Sequence, residues 1–331
     1  MEFKAFRVER TDESEFFRSV VTRTVNELPD GPLLVRVHYS SLNYKDALSA
    51  TGNPGVTREF PHTPGIDAAG EVVSCADGSF QPGDKVIVTG FDLGMETDGG
   101  FGQLIRIPSA WAVKLPDGLT LKESMIFGTA GLTAAMSVQE LIEGGVTADA
   151  GPVLVTGATG GVGSMALAML ARLGYEVVAA TGKADEAEYL TDLGAARVIG
   201  REEEMAGHEK PMMKAVWAGA VDCVGGPMLS AAVKAMRYGG VVTCCGLVGS
   251  PDLPLNVFPF ILRGVRLVGV ESVACPLPRR EKLWGLMAEK WKPENLTGMV
   301  EKIGLDGLEE KIQAILKGGL RRRVIIDLEG R

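Results

Sequence analysis

Histidine and cysteine are scarce in this chain, with three and five in 331 residues. The cysteines (Cys75, Cys223, Cys244, Cys245 and Cys275) are too few and too scattered for a disulfide framework, and none forms a C-x-x-C pair. A catalytic zinc needs about three nitrogen, sulfur or oxygen ligands brought together. His38, His62 and His208 are dispersed, so the residues argue against a metal site. Excess positive charge is lacking too: a net charge of −8 leaves no global basic footprint for nucleic acid. No uncharged apolar run reaches the roughly 18 residues of a membrane span. The start, MEFKAFRVERTDESEFF, has no apolar secretory core. These absences predict a soluble protein of a reducing, cytoplasmic compartment, without a membrane or nucleic-acid partner.

What is abundant is glycine, 43 of 331 residues and nearly twice the average usage. Such an excess suits tight turns and close backbone contacts in a nucleotide-binding α/β protein. The length leaves room for two domains. The first 120 or so residues read as mainly β, with branched runs such as Leu33–Val37 and Lys85–Val88 and turn signals at Pro29–Gly31 and Pro82–Asp84. From Gly151 to Val270 strand-like runs alternate with helical ones, the pattern of βαβ units and a parallel sheet. The expected strands are Val153–Thr156, Val177–Thr181, Arg197–Ile199, Ala220–Cys223, Gly240–Cys245 and Val265–Val270. A helix is expected from Gly161 to Leu173, and another ends at Leu193 before Gly194, a favoured residue just past a helix end. The tail returns to amphipathic helix and a basic strand, Arg321–Asp327.

Thr156-Gly157-Ala158-Thr159-Gly160-Gly161-Val162-Gly163 falls where the first of these strands turns into its helix. Residues with little or no side chain there let backbone N–H groups and the helix N-terminus reach a pyrophosphate. Ala158, Gly160 and Gly163 occupy the three small positions of the dinucleotide fingerprint. A P-loop fits poorly because no Gly-Lys-Ser/Thr follows. An acidic residue ending the second strand would hold the ribose hydroxyls of NAD. This chain has Ala180-Thr181-Gly182-Lys183 instead. Thr181 can donate a hydrogen bond to a 2′-phosphate and Lys183 supplies a positive charge, which favours NADPH. Arg201, just after the third strand, adds a second candidate cation; a surface arginine is the plainer reading.

Ser40-Ser41-Leu42-Asn43-Tyr44-Lys45-Asp46, Phe60-Pro61-His62-Thr63-Pro64-Gly65-Ile66-Asp67 and the glycine turn resemble the medium-chain dehydrogenase/reductase superfamily. Phe127-Gly128-Thr129-Ala130-Gly131-Leu132, Pro259-Phe260-Ile261-Leu262-Arg263-Gly264-Val265 and Cys275-Pro276-Leu277-Pro278-Arg279-Arg280 narrow the resemblance to its acrylyl-CoA reductase and quinone oxidoreductase-like branch. The resemblance implies a GroES-like β-rich catalytic domain, residues 1–122 and 273–331, plus a Rossmann doubly wound parallel-sheet domain, residues 123–272. It also implies NADPH as hydride donor and a homodimer paired through Val265–Val270. Thr129, Gly246, Leu247, Ile261 and Ser272 match positions that line the cofactor in that family, although Thr129 reads equally well as a simple helix cap and Leu247 and Ile261 almost as well as core. The zinc-containing relatives have a cysteine where this chain has Tyr44 and a His-Glu pair where it has Ile66-Asp67. With few histidines elsewhere, a metal-free reaction is expected.

Hydride addition to an α,β-unsaturated thioester produces an enolate, which needs hydrogen-bond donors and then a proton on the α-carbon. Neither step requires zinc. Tyr44 is the first candidate for contact with cofactor or substrate and for proton donation, the alternative being an aromatic lid that only packs; Asn43 and Asp46 flank it, and a helix-cap carboxylate is the plainer reading of Asp46. A CoA ester carries phosphates, so Arg279-Arg280 and Arg321-Arg322-Arg323 are candidate substrate contacts, or simply solvated faces. A short-chain dehydrogenase is excluded because no tyrosine is followed by lysine at the fourth position. A quinone reductase and a non-catalytic NADPH-binding, redox-sensing protein stay open as alternatives.

Overall fold

The computed structural model describes residues 1–11, 13 and 15–329, which divide into two compact units. One comprises Met1–Thr129, Val273–Ala288 and the chain from Leu296; the other comprises Ala130–Ser272 and Glu289–Asn295.

In the first unit the strand Leu33–Ser41 is the organising element. It pairs antiparallel with Asp67–Cys75, Leu104–Ile107 and Arg323–Asp327. Alternate positions Leu33, Val35 and Val37 enter a core with Val72, Val86, Val88, Ile105, Val324 and Ile326, as the period-two geometry of a strand requires. Gly70 sits where a Cβ would lie 1.9 Å from the Arg36 carbonyl oxygen, so only glycine lets these two strands approach. The last two residues of the central strand, Ser40 and Ser41, are buried polar groups, and both hydroxyls turn to Asp67.

The second unit is built on a six-stranded parallel sheet in the order Arg197–Gly200, Val177–Thr181, Val153–Thr156, Trp217–Asp222, Met236–Cys244, Arg266–Gly269. Numbered along the chain, that order is 3-2-1-4-5-6, the doubly wound arrangement whose ligand crevice opens at the carboxyl ends of the strands either side of the switch point. Here the switch point lies between Val153–Thr156 and Trp217–Asp222, and Thr156 Oγ1 donates across it to Asp222 Oδ1 at 2.7 Å. The fifth strand begins earlier than the sequence suggests, at Met236 instead of Gly240. Gly239, at φ 73°, masks the strand signal there. Arg266–Gly269 is an edge strand, paired only with Met236–Cys244 among the described residues.

The helix Leu121–Glu143 is long and apolar enough to cross a membrane, but 83% of its most apolar window is buried, so it serves as a core helix. Gly128 interrupts it with φ 52° and ψ −156°.

Candidate active site

In the first unit, the residues following the central strand gather around one carboxylate. Asp67 is fully buried. Its oxygens accept from Ser41 Oγ at 2.5 Å, Asn43 Nδ2 at 2.7 Å, the Thr129 main-chain N–H at 3.0 Å and Thr129 Oγ1 at 2.6 Å. The Arg323 guanidinium, itself buried, lies 4.0 Å from Asp67 Oδ2. It donates to Ser41 Oγ, to Asn43 Oδ1 and to the carbonyls of Leu42 and Ile126. The break at Gly128 aims the Thr129 N–H at the carboxylate: a Cβ there would lie 2.4 Å from Asp67 Oδ2 and 2.5 Å from Ser41 Oγ. Glycine is required both for the left-handed φ and for the space.

Asn43 caps the helix Tyr44–Ala50, and Asp46, three residues on, accepts the Asn43 N–H at 2.7 Å. The other Asp46 oxygen accepts the Ile66 N–H at 2.8 Å. Burial, with the nearby Asp67 charge, pushes the Asp46 carboxyl up to about 7. Because Asp46 is 0% exposed and both oxygens face main-chain donors, it cannot meet a substrate. The expected catalytic role gives way to a capping role that orients Tyr44. Tyr44 opens that helix and is 47% exposed. The amide of Asn43 is likewise committed, to Asp67 and to the Ser41 carbonyl.

Two arginine expectations also change. Arg280 is 1% exposed and donates to Thr89 Oγ1 at 2.7 Å and to the Val273 and Cys275 carbonyls, with its guanidinium 4.5 Å from the Phe91 ring centroid. It is a structural tie, unavailable to a CoA phosphate. Arg323 leaves the surface cluster for the Asp67 network, while Arg321 and Arg322 are exposed and Arg279 is half-buried. The signal that separates Arg323 from its neighbours is its place in the apolar strand run Arg323–Asp327, which is buried at every position, whereas Arg321 and Arg322 precede that strand.

In the second unit the glycine turn forms as a cradle. Gly157 has φ 59°. A Cβ on Gly163 would lie 2.4 Å from the Gly157 carbonyl oxygen, so helix and turn meet through glycine. Ala158 is buried, Thr159, Gly161 and Val162 are partly exposed, and Gly160 is exposed at the N-cap of the helix Gly161–Arg172. That leaves the free N–H groups of the first helical turn at the crevice, where an anion is favoured. At the end of the second strand, Thr181 Oγ1 accepts the Lys183 N–H at 3.0 Å, and its own proton is available for donation. The Arg201 guanidinium packs over Gly182, where a Cβ would come within 2.6 Å of it. The Thr181 hydroxyl and the Arg201 guanidinium thus both lie at the Gly182 end of the second strand, with Lys183 next in sequence, a set of residue types that fits the 2′-phosphate of NADPH.

Of the other cofactor-lining expectations, Gly246 follows the fifth strand so closely that a Cβ would lie 2.1 Å from the Cys223 carbonyl oxygen. Leu247 and Ile261 are 67% and 69% exposed, which removes the core reading. Ser272 is buried and accepts from Thr133 Oγ1 at 2.8 Å. Sequence reasoning missed Asp67 as the hub and Asp222 as the clasp. Asp222 accepts from Thr156 and from the Gly225 N–H at 2.7 Å. Nearby, Glu204 is buried with neither oxygen hydrogen-bonded among the described residues, and burial plus Asp222 push its carboxyl up to about 8.

A β-rich unit with a buried polar hub and a doubly wound unit with a dinucleotide cradle define a two-domain dehydrogenase. The chain belongs to the medium-chain dehydrogenase/reductase superfamily. Residues 29–117 match the alcohol dehydrogenase GroES-like domain model and residues 161–289 the zinc-binding dehydrogenase model. It is 42% identical over 327 residues to acrylyl-CoA reductase AcuI of Ruegeria pomeroyi, covering 98% of this chain and 99% of that one. It is 44% identical over 310 residues to the putative quinone oxidoreductase YhfP of Bacillus subtilis, covering 93% and 94%. The crystal structure of YhfP with NAD bound superposes with a TM-score of 0.97, at 43% identity and 99% and 100% coverage. That of Escherichia coli YHDH with bound NADPH gives 0.94, at 42% identity and 98% and 99% coverage.

Removing one member of a buried charged pair costs about 3–5 kcal/mol because it strands the other. Asp67→Ala should lower the unfolding free energy of the first unit by that order in urea titrations. Adding Arg323→Met should recover part of the loss; a double variant no more stable than Asp67→Ala would contradict the charge argument.

For Glu204 the folded state holds the proton more tightly than the ordinary carboxyl, at 4.5, does. Its contribution is therefore fully present below pH 4.5 and is lost as pH rises through about 8. Glu204→Gln should leave the melting temperature nearly unchanged at pH 5 and raise it at pH 9, by roughly 2–4 °C per kcal/mol released. Equal shifts at both pH values would count against this.

Proposed function

We propose that the chain is an NADPH-dependent, zinc-free reductase of the carbon–carbon double bond of an enoyl thioester, converting acryloyl-CoA to propanoyl-CoA, and that it acts as a soluble cytoplasmic homodimer. The observation that carries this reading is the Arg201 guanidinium packed over Gly182 beside the Thr181 hydroxyl, at a strand end without an acidic residue, in a chain 42% identical along nearly its whole length to an acrylyl-CoA reductase. The zinc-free part rests on the donor set. Ile66 carries no ligand atom, Tyr44 stands in place of a thiolate, and the Asp67 oxygens already take four hydrogen bonds.

When bound, NADPH supplies the hydride for the β-carbon of the acceptor. The turn Ala158–Gly163 and the helix N-terminus hold the pyrophosphate, and Thr181, Lys183 and Arg201 hold the 2′-phosphate. The Thr129 hydroxyl donates to Asp67, so toward a carboxamide N–H it acts as acceptor. Gly246, Leu247, Ile261 and Ser272 are assigned to the lining of the same cofactor. The Tyr44 hydroxyl is the exposed donor for the enolate oxygen or the α-carbon, with Asn43 and Asp46 acting through it as positioning residues. Arg279, Arg321 and Arg322 are the candidate cations for CoA phosphates. For the dimer, the edge strand Arg266–Gly269 follows a helix, Phe258–Arg263, that exposes Phe258, Ile261 and Leu262. An open strand edge beside exposed apolar residues is suited to pairing with a second copy.

A quinone acceptor is the second reading, favoured by the 44% identity to a putative quinone oxidoreductase. Anaerobic rates of NADPH oxidation with acryloyl-CoA and with a panel of quinones should give the larger kcat/KM for the thioester; a large advantage for quinones would reverse the substrate assignment. Sedimentation should report twice the 35.1 kDa chain mass.

Cofactor choice is tested separately. Lys183→Ala should weaken NADPH binding by about tenfold, one lost charge-assisted contact, and leave NADH binding unchanged in calorimetry. Equal weakening of both would remove Lys183 from the phosphate pocket.

A further inference from the structure

Two of the cysteines meet at the cofactor edge of the parallel sheet. Cys223 and Cys245 follow the ends of the neighbouring strands Trp217–Asp222 and Met236–Cys244, whose register pairs Asp222 with Cys244. Their sulfurs are 3.8 Å apart, both are free thiols and both are partly exposed. Strand alternation sends Cys244 the other way, into the core cluster with Leu267 and Phe260. We propose that Cys223 and Cys245 are a redox modification site: they close to a reversible disulfide, and closure weakens NADPH binding. The second half of this proposal rests on the NADPH reading above.

The backbone suits the bond. Neighbouring strands run about 4.7–4.9 Å apart, inside the Cα separations that disulfides span. Drawing the sulfurs from 3.8 Å to about 2.05 Å needs side-chain rotation and a small approach of the two strand ends. That approach has no slack to absorb it. Gly246 already lies so close to the Cys223 carbonyl that a Cβ would come within 2.1 Å of its oxygen, so the Gly246-Leu247 segment must shift. On the other side, a Cβ on Gly157 would touch Cys223 Cβ at 3.4 Å, which places the pair directly against the glycine turn. Cys245 Sγ also leaves its contact with the Asp222 carbonyl, 3.3 Å away, and Asp222 is the residue that ties Thr156 and Gly225 together. One bond thus reaches three parts of the cradle.

The chemistry requires an oxidant, and a low-molecular-weight disulfide such as oxidised glutathione supplies it. The Cys245 thiolate attacks one sulfur of the small disulfide, forming a mixed disulfide and releasing one small thiol. The Cys223 thiolate then attacks Cys245 Sγ and releases the second small thiol. The protein loses two protons and two electrons in all, and the oxidant takes them up to become two thiols. The hydrogen bond with Cys245, and then burial, push the Cys223 thiol up, which suits the slower, resolving role. A dinucleotide lying over this edge would shield the sulfurs, so cofactor binding and oxidation should oppose one another.

The test is oxidation of the whole chain by oxidised glutathione, with and without NADPH. Trypsin places Cys223 in residues 215–234 and Cys245 in residues 238–263, so a cross-linked pair of these peptides reports the bond by mass. The expected result is that the pair forms, survives Cys244→Ser and vanishes in Cys245→Ser. NADPH should slow its formation. The oxidised protein should bind NADPH at least tenfold more weakly by fluorescence titration, with recovery after dithiothreitol. Cys245→Ser should bind NADPH normally before and after oxidant. Absence of the cross-link in the wild-type chain, its persistence in Cys245→Ser, or unchanged NADPH affinity in the cross-linked form would each overturn the proposal. If the reduced protein fails to bind NADPH, the cofactor reading falls and takes the gating with it, while the peptide masses still decide the disulfide.

Discussion

A carboxylate with no exposed surface must find compensation inside the protein, and Asp67 finds it from every direction. Ser41, Asn43 and Thr129 donate to it, and the Arg323 guanidinium supplies the opposite charge at 4.0 Å. An ionised carboxylate buried alone would be far too costly to persist. Each partner therefore has to be delivered from a different part of the chain: the end of the central strand, the cap of the helix carrying Tyr44, the break at Gly128 and the last strand of the unit. The position of Tyr44 depends on this arrangement, because the residue that caps its helix, Asn43, also donates to Asp67.

The same logic operates in the second unit with a different acid. Asp222 stands at the end of the strand beside the switch point, and its two oxygens take the Thr156 hydroxyl and the Gly225 N–H. It binds the first strand to the loop after the fourth, so the glycine turn starts from a fixed point. Glu204 is buried close by and without hydrogen-bonded oxygens among the described residues. An acid held there in its neutral form avoids a second unpaired charge beside Asp222. In both units a buried acid organises the backbone around it through hydrogen bonds from separate segments.

Three glycines illustrate how much of the site is defined by the absence of a side chain. Gly128 leaves room for Asp67 and Ser41, Gly163 for the Gly157 carbonyl, and Gly246 for the Cys223 carbonyl. Packing this close transmits displacement well, since there is no compressible gap. It explains why a change of under 2 Å between two sulfurs would reach the cofactor segment.

The parallel sheet was legible in the residues because its signals are local: buried branched runs separated by helix-length stretches, and a turn with Ala158, Gly160 and Gly163 at fixed spacing. The proposed 2′-phosphate contacts were read from equally local residues, the Thr181-Gly182-Lys183 end of one strand. The companion cation Arg201 was ambiguous, because only folding brings it over Gly182. Arg280 and Arg323 misled, since a run of arginines looks solvent-facing until the docking of a helix and of the fully buried last strand covers one member of each run. Asp46 carried two readings, with the cap the plainer, and its zero exposure and main-chain donors agree with the cap. What the sequence alone determined were features encoded within a few consecutive residues, where backbone geometry is set by neighbours. What tertiary structure decided were the partners of buried charges, because a carboxylate's environment is assembled from segments as far apart as Ser41 and Arg323, and no local pattern records that meeting.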